Sequence, residues 1–310
     1  MATLKPGLKI VFAGLDNAGK TSILMTIDEK YSKLRNLKPT LGAETYGFEI
    51  LGNPVMRWDL GGQANLREQY LRDKKYFEST DLLCYIIDIM DYKRFHENLT
   101  YLFKIIELFE SYGDSPKIVV FLHKIDPDIR LEERIQSKVQ EAINMFKKEA
   151  KFEEYDVKFF ETSIYNPWSL LKAFSYGIRS ASSRKVQDLE MELKNFLENT
   201  NSTAIVILDK NLITLGEYYF EELTQSILDK IIPNLINAYI NLKNISVYKL
   251  EKLIVELREH YLLLTQILLK KGFFYIILLT KEEKVSEIIK KAIPELSGKI
   301  EKVIEEFFLK

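Results

Sequence analysis

A phosphate-binding pattern begins at Gly14, where the chain reads Gly-Leu-Asp-Asn-Ala-Gly-Lys-Thr and matches G-x-x-x-x-G-K-[ST]. It follows the apolar run 8–13 and opens a predicted helix, which is the context that such a loop requires. Glycines let several backbone N–H groups point into one concavity, and the helix dipole adds positive potential there. Lys20 would bring a full positive charge to the β- and γ-phosphates of a nucleotide, and Thr21 would offer a hydroxyl ligand to Mg²⁺. The residues predicted to line this phosphate site are Gly14, Asp16, Asn17, Ala18, Gly19, Lys20, Thr21 and Ser22.

A second group of residues ends a predicted strand in the segment Trp58-Asp59-Leu60-Gly61-Gly62-Gln63. Asp59, at the carboxyl end of that strand, is suited to hold Mg²⁺ through a water molecule. The N–H of Gly62 can approach a γ-phosphate closely, and the amide of Gln63 can orient an attacking water. In-line attack on a phosphoryl group needs positioning more than a strong base, so an amide is sufficient. We therefore predict Gln63 and Lys20 as catalytic residues and Asp59 as a metal-binding residue.

Thr40 lies between these two motifs, in the segment Lys38-Pro39-Thr40-Leu41-Gly42. A loop threonine at this place can bind Mg²⁺ only while a γ-phosphate is present. Such a contact would order the loop with a triphosphate and release it after hydrolysis. Thr40 is therefore predicted as a catalytic residue and, with Thr21, as a metal ligand.

A third motif, His123-Lys124-Ile125-Asp126, follows another predicted strand. The carboxylate of Asp126 can accept hydrogen bonds from the N1–H and N2–H₂ groups of guanine, a donor pair that adenine lacks. The aliphatic stem of Lys124 can cover the face of the base. After the next strand comes Thr162-Ser163-Ile164, where a backbone N–H could reach the guanine oxygen. We predict His123, Lys124, Asp126, Ser163 and Ile164 as the base-binding residues.

Strands and helices alternate in the first half of the chain, as the spacing of apolar residues indicates. Strands are predicted at 8–13, 45–51, 55–60, 81–89, 117–122 and 157–162, and helices at 19–34, 94–112, 131–151 and 167–178. The alternation predicts a mostly parallel six-stranded sheet with helices on both faces. Ligands bind such sheets at the carboxyl edge, which is where the motifs lie.

The second half of the chain has a different order of elements. Helices are predicted at 187–199, 221–242 and 282–308, and strands at 203–208, 212–218, 248–257, 260–269 and 273–280. This order predicts a five-stranded antiparallel sheet flanked by helices. The small, polar run 179–185 separates the two halves, so we predict domains at 1–182 and 183–310.

Composition restricts the remaining possibilities. The 310 residues carry a net charge of −1, so no basic excess favours nucleic-acid binding. A single cysteine, Cys84, excludes an intrachain disulfide framework and a cysteine-based zinc site. With Ala at position 2 there is no myristoylation site, and no apolar run approaches the roughly 20 residues of a spanning helix. We expect a cytoplasmic protein without a membrane anchor of its own, recruited to membranes through partners.

Together the three motifs resemble those of Ras-superfamily small GTPases. The loop at 14–21, the segment Pro39-Thr40-Leu41-Gly42 and the Gly61-Gly62-Gln63 stretch are similar to the Arf type. Other segments resemble the Rag/Gtr GTPases: His123 where most small GTPases have Asn, the residues 50–54 (Ile-Leu-Gly-Asn-Pro), and 162–165 (Thr-Ser-Ile-Tyr). The segment 189–196 is similar to the start of the Rag C-terminal domain.

The resemblance implies a switch that binds GTP and GDP with Mg²⁺ and hydrolyses GTP. It further implies a roadblock/longin-like C-terminal domain that pairs two copies of this chain, or this chain with a related GTPase. Three residues before Thr40 stands Leu37, so an arginine finger is absent at that spacing. Such a finger increases the rate by about 10³–10⁵, so we expect slow intrinsic hydrolysis and dependence on an activating protein, with an exchange factor to reload the switch. A roadblock/longin-type scaffold is a further expected partner.

Other functions remain open at this stage. One alternative is an Arf-like trafficking GTPase, and another is a scaffold that binds GTP with negligible hydrolysis. A P-loop ATPase or nucleotide kinase is disfavoured by the Lys124–Asp126 motif and by the lack of an arginine-rich lid.

Overall fold

The computed structural model of the chain describes residues 7–28, 40–50, 53–148, 155–245, 250–269, 272–281 and 287–307. These residues divide into two compact units. The first contains residues 7–49 and 53–181, and the second contains residue 50 and the described residues from 182 onwards. The run 179–185 holds the end of one helix at Ala181 and the start of the next at Ser183.

The first unit is a six-stranded sheet with helices. Its strands are β1 (Leu8–Gly14), β2 (Ala43–Ile50), β3 (Asn53–Leu60), β4 (Leu82–Asp88), β5 (Lys117–His123) and β6 (Lys158–Thr162). Its helices are α1 (Lys20–Ile27), α2 (Ala64–Arg72), α3 (Phe95–Tyr112), α4 (Glu133–Lys147) and α5 (Pro167–Ala181). The strand order is β2-β3-β1-β4-β5-β6, and β1 pairs in parallel with both β3 and β4. The predicted six-stranded, mostly parallel sheet is confirmed.

The register of the central strands aligns their carboxyl ends. Gly14 pairs with Ile86, and His123 pairs with Asp88 on one side and with Thr162 on the other. Strand β4 is buried over almost its whole length because helices cover both faces, as its unbroken apolar sequence predicts. Loops that leave these strands therefore start from one edge of the sheet.

In helix α3, the apolar residues at helical spacing form the buried face. Its buried residues recur every three or four positions, and Phe109 meets Phe77 edge to face with the ring centroids 6.0 Å apart. The helix ends at Gly113, whose φ of 71° is the left-handed conformation that glycine adopts at low cost. At the other end of the helix, Arg94, the residue before α3, binds Asp16 of the loop that follows β1.

Several elements differ from the sequence-based prediction. Helix α2 was not expected, because its sequence Ala-Asn-Leu-Arg-Glu-Gln-Tyr-Leu-Arg is mostly polar. Strand β3 begins at Asn53, two residues before the predicted start at residue 55. The predicted extension of the first helix to residue 34 lies beyond residue 28 and so outside the described residues.

The second unit contains the predicted five-stranded antiparallel sheet, which is confirmed. Its strands are β7 (Ser202–Asp209), β8 (Thr214–Tyr219), β9 (Lys252–Glu256), β10 (Tyr261–Leu269) and β11 (Gly272–Thr280), in the order β8-β7-β11-β10-β9. Its helices are α6 (Ser183–Asn199), α7 (Glu222–Ile245) and α8 (Ile293–Phe307). A π-helical turn, Ile288–Ala292, precedes α8 where one helix was predicted, and Pro294 supplies no backbone N–H to the first turn of α8.

In the part of the chain that the structure describes, helices with enough length and apolar character to span a bilayer were not found.

Candidate nucleotide-binding site

The phosphate loop leaves β1 at Gly14 and enters α1 at Lys20. Gly14 has a φ of 147°, and a Cβ there would lie 2.3 Å from the carbonyl oxygen of Ile86. Asn17 and Gly19 also have positive φ values, 57° and 100°. These turns curl the backbone around a concavity at the amino end of α1, where helix N–H groups favour an anion.

Lys20 is buried within this loop. Its Nζ donates hydrogen bonds to the carbonyl oxygens of Gly14 at 3.2 Å and Leu15 at 2.7 Å. Burial lowers the pKa of Lys20 to about 8, because a charged amine loses hydration there. A phosphate group beside Nζ would supply the negative charge that this amine lacks, so the loop fits a polyphosphate.

Three side-chain oxygens converge next to Lys20. The Thr21 hydroxyl donates to Oδ2 of Asp59 at 2.6 Å and lies 2.9 Å from the hydroxyl of Thr40, which is itself 3.5 Å from the same Oδ2. The other Asp59 oxygen, Oδ1, is buried without a hydrogen-bond partner among the described residues. Burial also raises the pKa of Asp59 above its ordinary value. A hard cation with oxygen ligands would relieve both conditions, so this donor set fits Mg²⁺.

The loop after β3 closes the cavity from the other side. Gly61 donates its N–H to the carbonyl oxygen of Gly42 at 3.0 Å, which ties this loop to the segment that carries Thr40. Gly62 packs against the phosphate loop so closely that a Cβ there would lie 2.2 Å from the Asp16 nitrogen. Gln63 is the residue before α2, and its Oε1 is buried without a partner among the described residues.

One cavity joins these groups. It has a volume of about 400 Å³ and is lined by Asp16, Asn17, Gly19, Lys20, Thr21, Ser22, Thr40, Gly61, Gly62 and Gln63. The phosphate and metal residues predicted from three separate segments thus meet in one place, with Asp59 directly behind the two threonines. Ala18 is buried in the same loop.

The base-binding loops also meet. Oδ1 of Asp126 accepts a hydrogen bond from the Ser163 hydroxyl at 2.5 Å. The Ser163 hydroxyl accepts in turn from the N–H of Tyr165 at 3.0 Å, within a turn that contains Ile164 and is closed by a bridge from Ser163 to Asn166. Lys124 has a φ of 67°, and its Nζ binds Oδ2 of Asp88 at 2.7 Å.

His123 connects the base loops to the phosphate loop. Its Nδ1 lies 3.1 Å from the Thr162 hydroxyl, and its ring lies so close to Gly19 that a Cβ there would be 2.6 Å from Cδ2. Burial lowers the pKa of His123 to about 3, so the ring is neutral. The histidine thus binds Thr162 at the end of the neighbouring strand and packs against Gly19 of the phosphate loop.

Sequence reasoning missed residues that support this site. Asp88, at the carboxyl end of β4, orients Lys124 and also accepts the N–H of Met90 at 2.8 Å. Arg94 binds Oδ1 of Asp16 at 2.7 Å from a position 78 residues away. The only local signal was the charge pair of Arg94 with Glu97 one helical turn later.

The sheet, its phosphate loop and the loops along its carboxyl edge define the class of P-loop small GTPases. A family model of the "Gtr1/RagA G protein conserved region" matches residues 9–289, so the chain belongs to this family of G proteins. The resemblance to Rag/Gtr and Arf-like GTPases is thereby confirmed.

Individual relatives match the first part of the chain. ADP-ribosylation factor-like protein 3 of Chlamydomonas reinhardtii is 34% identical over 118 residues, covering 38% of this chain and 63% of the relative. ADP-ribosylation factor-like protein 4C of Homo sapiens is 34% identical over 118 residues, covering 36% and 58%. The chain therefore spans about three-fifths of the length of these relatives. A solved structure of the Arl6 BBS3 small GTPase from Trypanosoma brucei, with bound nucleotide analogue GppNp, aligns with a TM-score of 0.45 and 18% identity over 56% of this chain and 97% of that chain.

Proposed function

We propose that this chain is a molecular switch that binds GTP and GDP and hydrolyses GTP to GDP and phosphate. The supporting observation is the convergence of Lys20, Thr21, Thr40 and Gln63 on one cavity, with Asp59 directly behind it. Membership of the Gtr1/RagA family supports a guanine nucleotide as the ligand. The Asp126–Ser163 pair supplies the acceptor that distinguishes guanine from adenine.

Each residue has a defined task in this proposal. Lys20 and the loop N–H groups hold the phosphates, and Gly62 limits the space at the γ end of the cavity. Thr21 and Thr40 would hold Mg²⁺ directly, and Asp59 would hold it through water. Bound there, Mg²⁺ would supply positive charge beside the phosphate oxygens. Gln63 orients the water whose oxygen bonds to the γ-phosphorus as the bond to the bridging oxygen breaks.

Hydrolysis is expected to be slow without a partner. Leu37 stands where a built-in arginine finger would be needed. Of the arginines described near the cavity, Arg94 is bound to Asp16 and Glu97, and Arg67 is bound to Glu97. An activating protein that supplies an arginine would raise the rate by about 10³–10⁵, and an exchange factor would then reload the switch.

The second unit is proposed as a roadblock/longin-like module that pairs two copies of this chain or this chain with a related GTPase. Strands β8 and β9 form the two edges of its sheet, and edges of this kind can pair with another chain. Exposed apolar side chains are abundant in this unit and include Phe220, Leu223, Ile227, Ile245 and Leu268. Pairing would also present a surface for a roadblock/longin-type scaffold.

Mass spectrometry of the ligand released from the denatured, purified protein tests the proposal. We expect GDP or GTP, and adenine nucleotides would refute the base assignment. Phosphate release by wild type and by Gln63→Leu, each with and without cell extract, separates a hydrolysing switch from a binding scaffold. Extract should accelerate only the wild type, whereas equal turnover in all samples would favour the scaffold.

Light scattering after size exclusion tests the pairing. The full chain should elute as a dimer and residues 1–182 as a monomer. A monomeric full chain at micromolar concentration would exclude self-pairing and leave a related GTPase as the partner to be tested by mixing.

A further inference from the structure

The carboxylate of Asp16 borders the cavity in which the proposed function places the phosphates of a nucleotide. Among the described residues that line the cavity, Asp16 alone carries a carboxylate. Its backbone nitrogen lies against Gly62, at the end of the cavity that Gln63 also borders. This is the end where a γ-phosphate would lie, so Asp16 is closer to the third phosphate than to the base.

Arg94 holds this carboxylate. It ends a short 3₁₀ turn, Tyr92–Arg94, after β4, and its Nη2 lies 2.7 Å from Oδ1 of Asp16. Its Nε binds Oε2 of Glu97 at 2.7 Å, and Nη1 lies 3.6 Å from Oδ2 of Asp91. Glu97 also binds the guanidinium of Arg67 in α2, so this carboxylate joins Arg94 to a second arginine. The guanidinium is therefore held in one orientation by several carboxylates.

The pairing matters because Asp16 is ionised. The hydrogen bond from Arg94 is the main cause that lowers the pKa of the Asp16 carboxyl below its ordinary value. For a separation of about 4 Å in a site open to water, an unpaired negative charge weakens phosphate binding by roughly fivefold per unit charge. The γ-phosphate brings additional charge to this end of the cavity, so the repulsion would act more strongly on a triphosphate than on a diphosphate.

We propose that Arg94 is a positioning residue that neutralises the Asp16 carboxylate and directs it away from the γ-phosphate, and thereby sets the preference of the site for triphosphate over diphosphate. The inference rests on the proposed function, because its ligand is the guanine nucleotide. It assigns Arg94 no contact with the ligand, since its effect passes through Asp16.

A double-mutant cycle on the full chain tests the proposal. Dissociation constants are measured for fluorescent N-methylanthraniloyl GDP and for the corresponding GppNHp, with Mg²⁺, for wild type, Arg94→Ala, Asp16→Asn and the double variant. We expect Arg94→Ala to weaken GppNHp binding about tenfold and GDP binding by less than about threefold, with a smaller difference at high salt. In the Asp16→Asn background, Arg94→Ala should change GppNHp affinity by less than about twofold.

Controls separate this role from general stability. Arg134→Ala removes a guanidinium that binds Glu132 on the surface of α4, and it should leave both affinities unchanged. Asp16→Asn alone should keep or increase the ratio of GppNHp to GDP affinity, which provides a readout if Arg94→Ala does not fold. Equal losses for both nucleotides, or the same loss from Arg94→Ala in both backgrounds, would overturn the inference. A wild-type protein that binds neither nucleotide would instead refute the proposed function.

Discussion

Replacing Asp126 by asparagine should change the base that this protein selects. Oδ1 of Asp126 accepts the Ser163 hydroxyl at 2.5 Å, and the Asp126 carbonyl oxygen accepts the N–H groups of Ile129 at 3.1 Å and Arg130 at 3.0 Å. Hydrogen bonds therefore hold the backbone of Asp126 as well as its carboxylate. Guanine would donate N1–H and one N2–H to the carboxylate, and asparagine would place an N–H₂ group opposite one of these donors.

The magnitude follows from the hydrogen bonds that change. A hydrogen bond to a charged group contributes about 1.5–3 kcal/mol, so losing the bond opposite the N–H₂ group weakens GTP binding by roughly 10–10²-fold. Xanthine has a carbonyl oxygen where guanine has its amino group, and this oxygen can accept from the asparagine amide. Affinity for xanthosine triphosphate should therefore rise as affinity for GTP falls.

Competition binding against a fluorescent guanine nucleotide measures both changes in one assay. Ser163→Ala is the matched control, because it removes the hydroxyl that orients Asp126 and leaves the carboxylate in place. It should weaken GTP binding about tenfold without a gain for the xanthine nucleotide. If Asp126→Asn binds GTP within about threefold of wild type, Asp126 does not contact the base and the reasoning fails.

Three further predictions concern the steric, ionic and protonation features of the first unit. Gly62→Ala should slow hydrolysis about 10²-fold in a phosphate-release assay, because a Cβ there would lie 2.2 Å from the Leu15 carbonyl carbon and displace the loop. Arg57→Met should lower the free energy of unfolding by about 3–5 kcal/mol, because the buried Arg57 guanidinium pairs with Asp28 at 2.8 Å. Urea unfolding monitored through tryptophan fluorescence measures this free energy, since both tryptophans lie in the first unit. His123→Asn should make the free energy of unfolding less sensitive to acid. The pKa of His123 is about 3 in the folded protein and near 6.5 in the unfolded chain. Wild type therefore loses stability as the pH falls below about 6.5, by about 2 kcal/mol at pH 5.

The first two of these variants each have a matched control. Gly47→Ala adds a Cβ that meets no atom within 4 Å, so it should hydrolyse GTP like wild type. Lys74→Met breaks an exposed pair with Glu78 and should change stability by no more than about 1 kcal/mol. An identical loss of stability between pH 7 and pH 5 in wild type and His123→Asn would show that the histidine does not cause it.

The strands were largely predictable, whereas some helices were not. Strands β4 and β5 are continuous apolar runs. A strand that is buried on both faces needs apolar residues at almost every position, so such strands can be recognised from the sequence. Helix α2 is mostly polar and buries few side chains, among them Arg67 and Tyr70, so its sequence carries little helical periodicity. Its path depends on contacts such as Arg67 with Glu97, which lie 30 residues apart.

The amino-acid sequence alone determined which motifs this protein carries. The motifs at 14–21, 59–63 and 123–126 each combine particular side chains with local backbone requirements, and both can be read from consecutive residues. Only the tertiary structure decided how those motifs are joined. The ring of His123 against Gly19, the Asp126–Ser163 hydrogen bond and the hold of Arg94 on Asp16 each join distant segments. The pairing and register of parallel strands bring these segments together, and no local pattern encodes that pairing, because crossover connections separate neighbouring strands in the sequence.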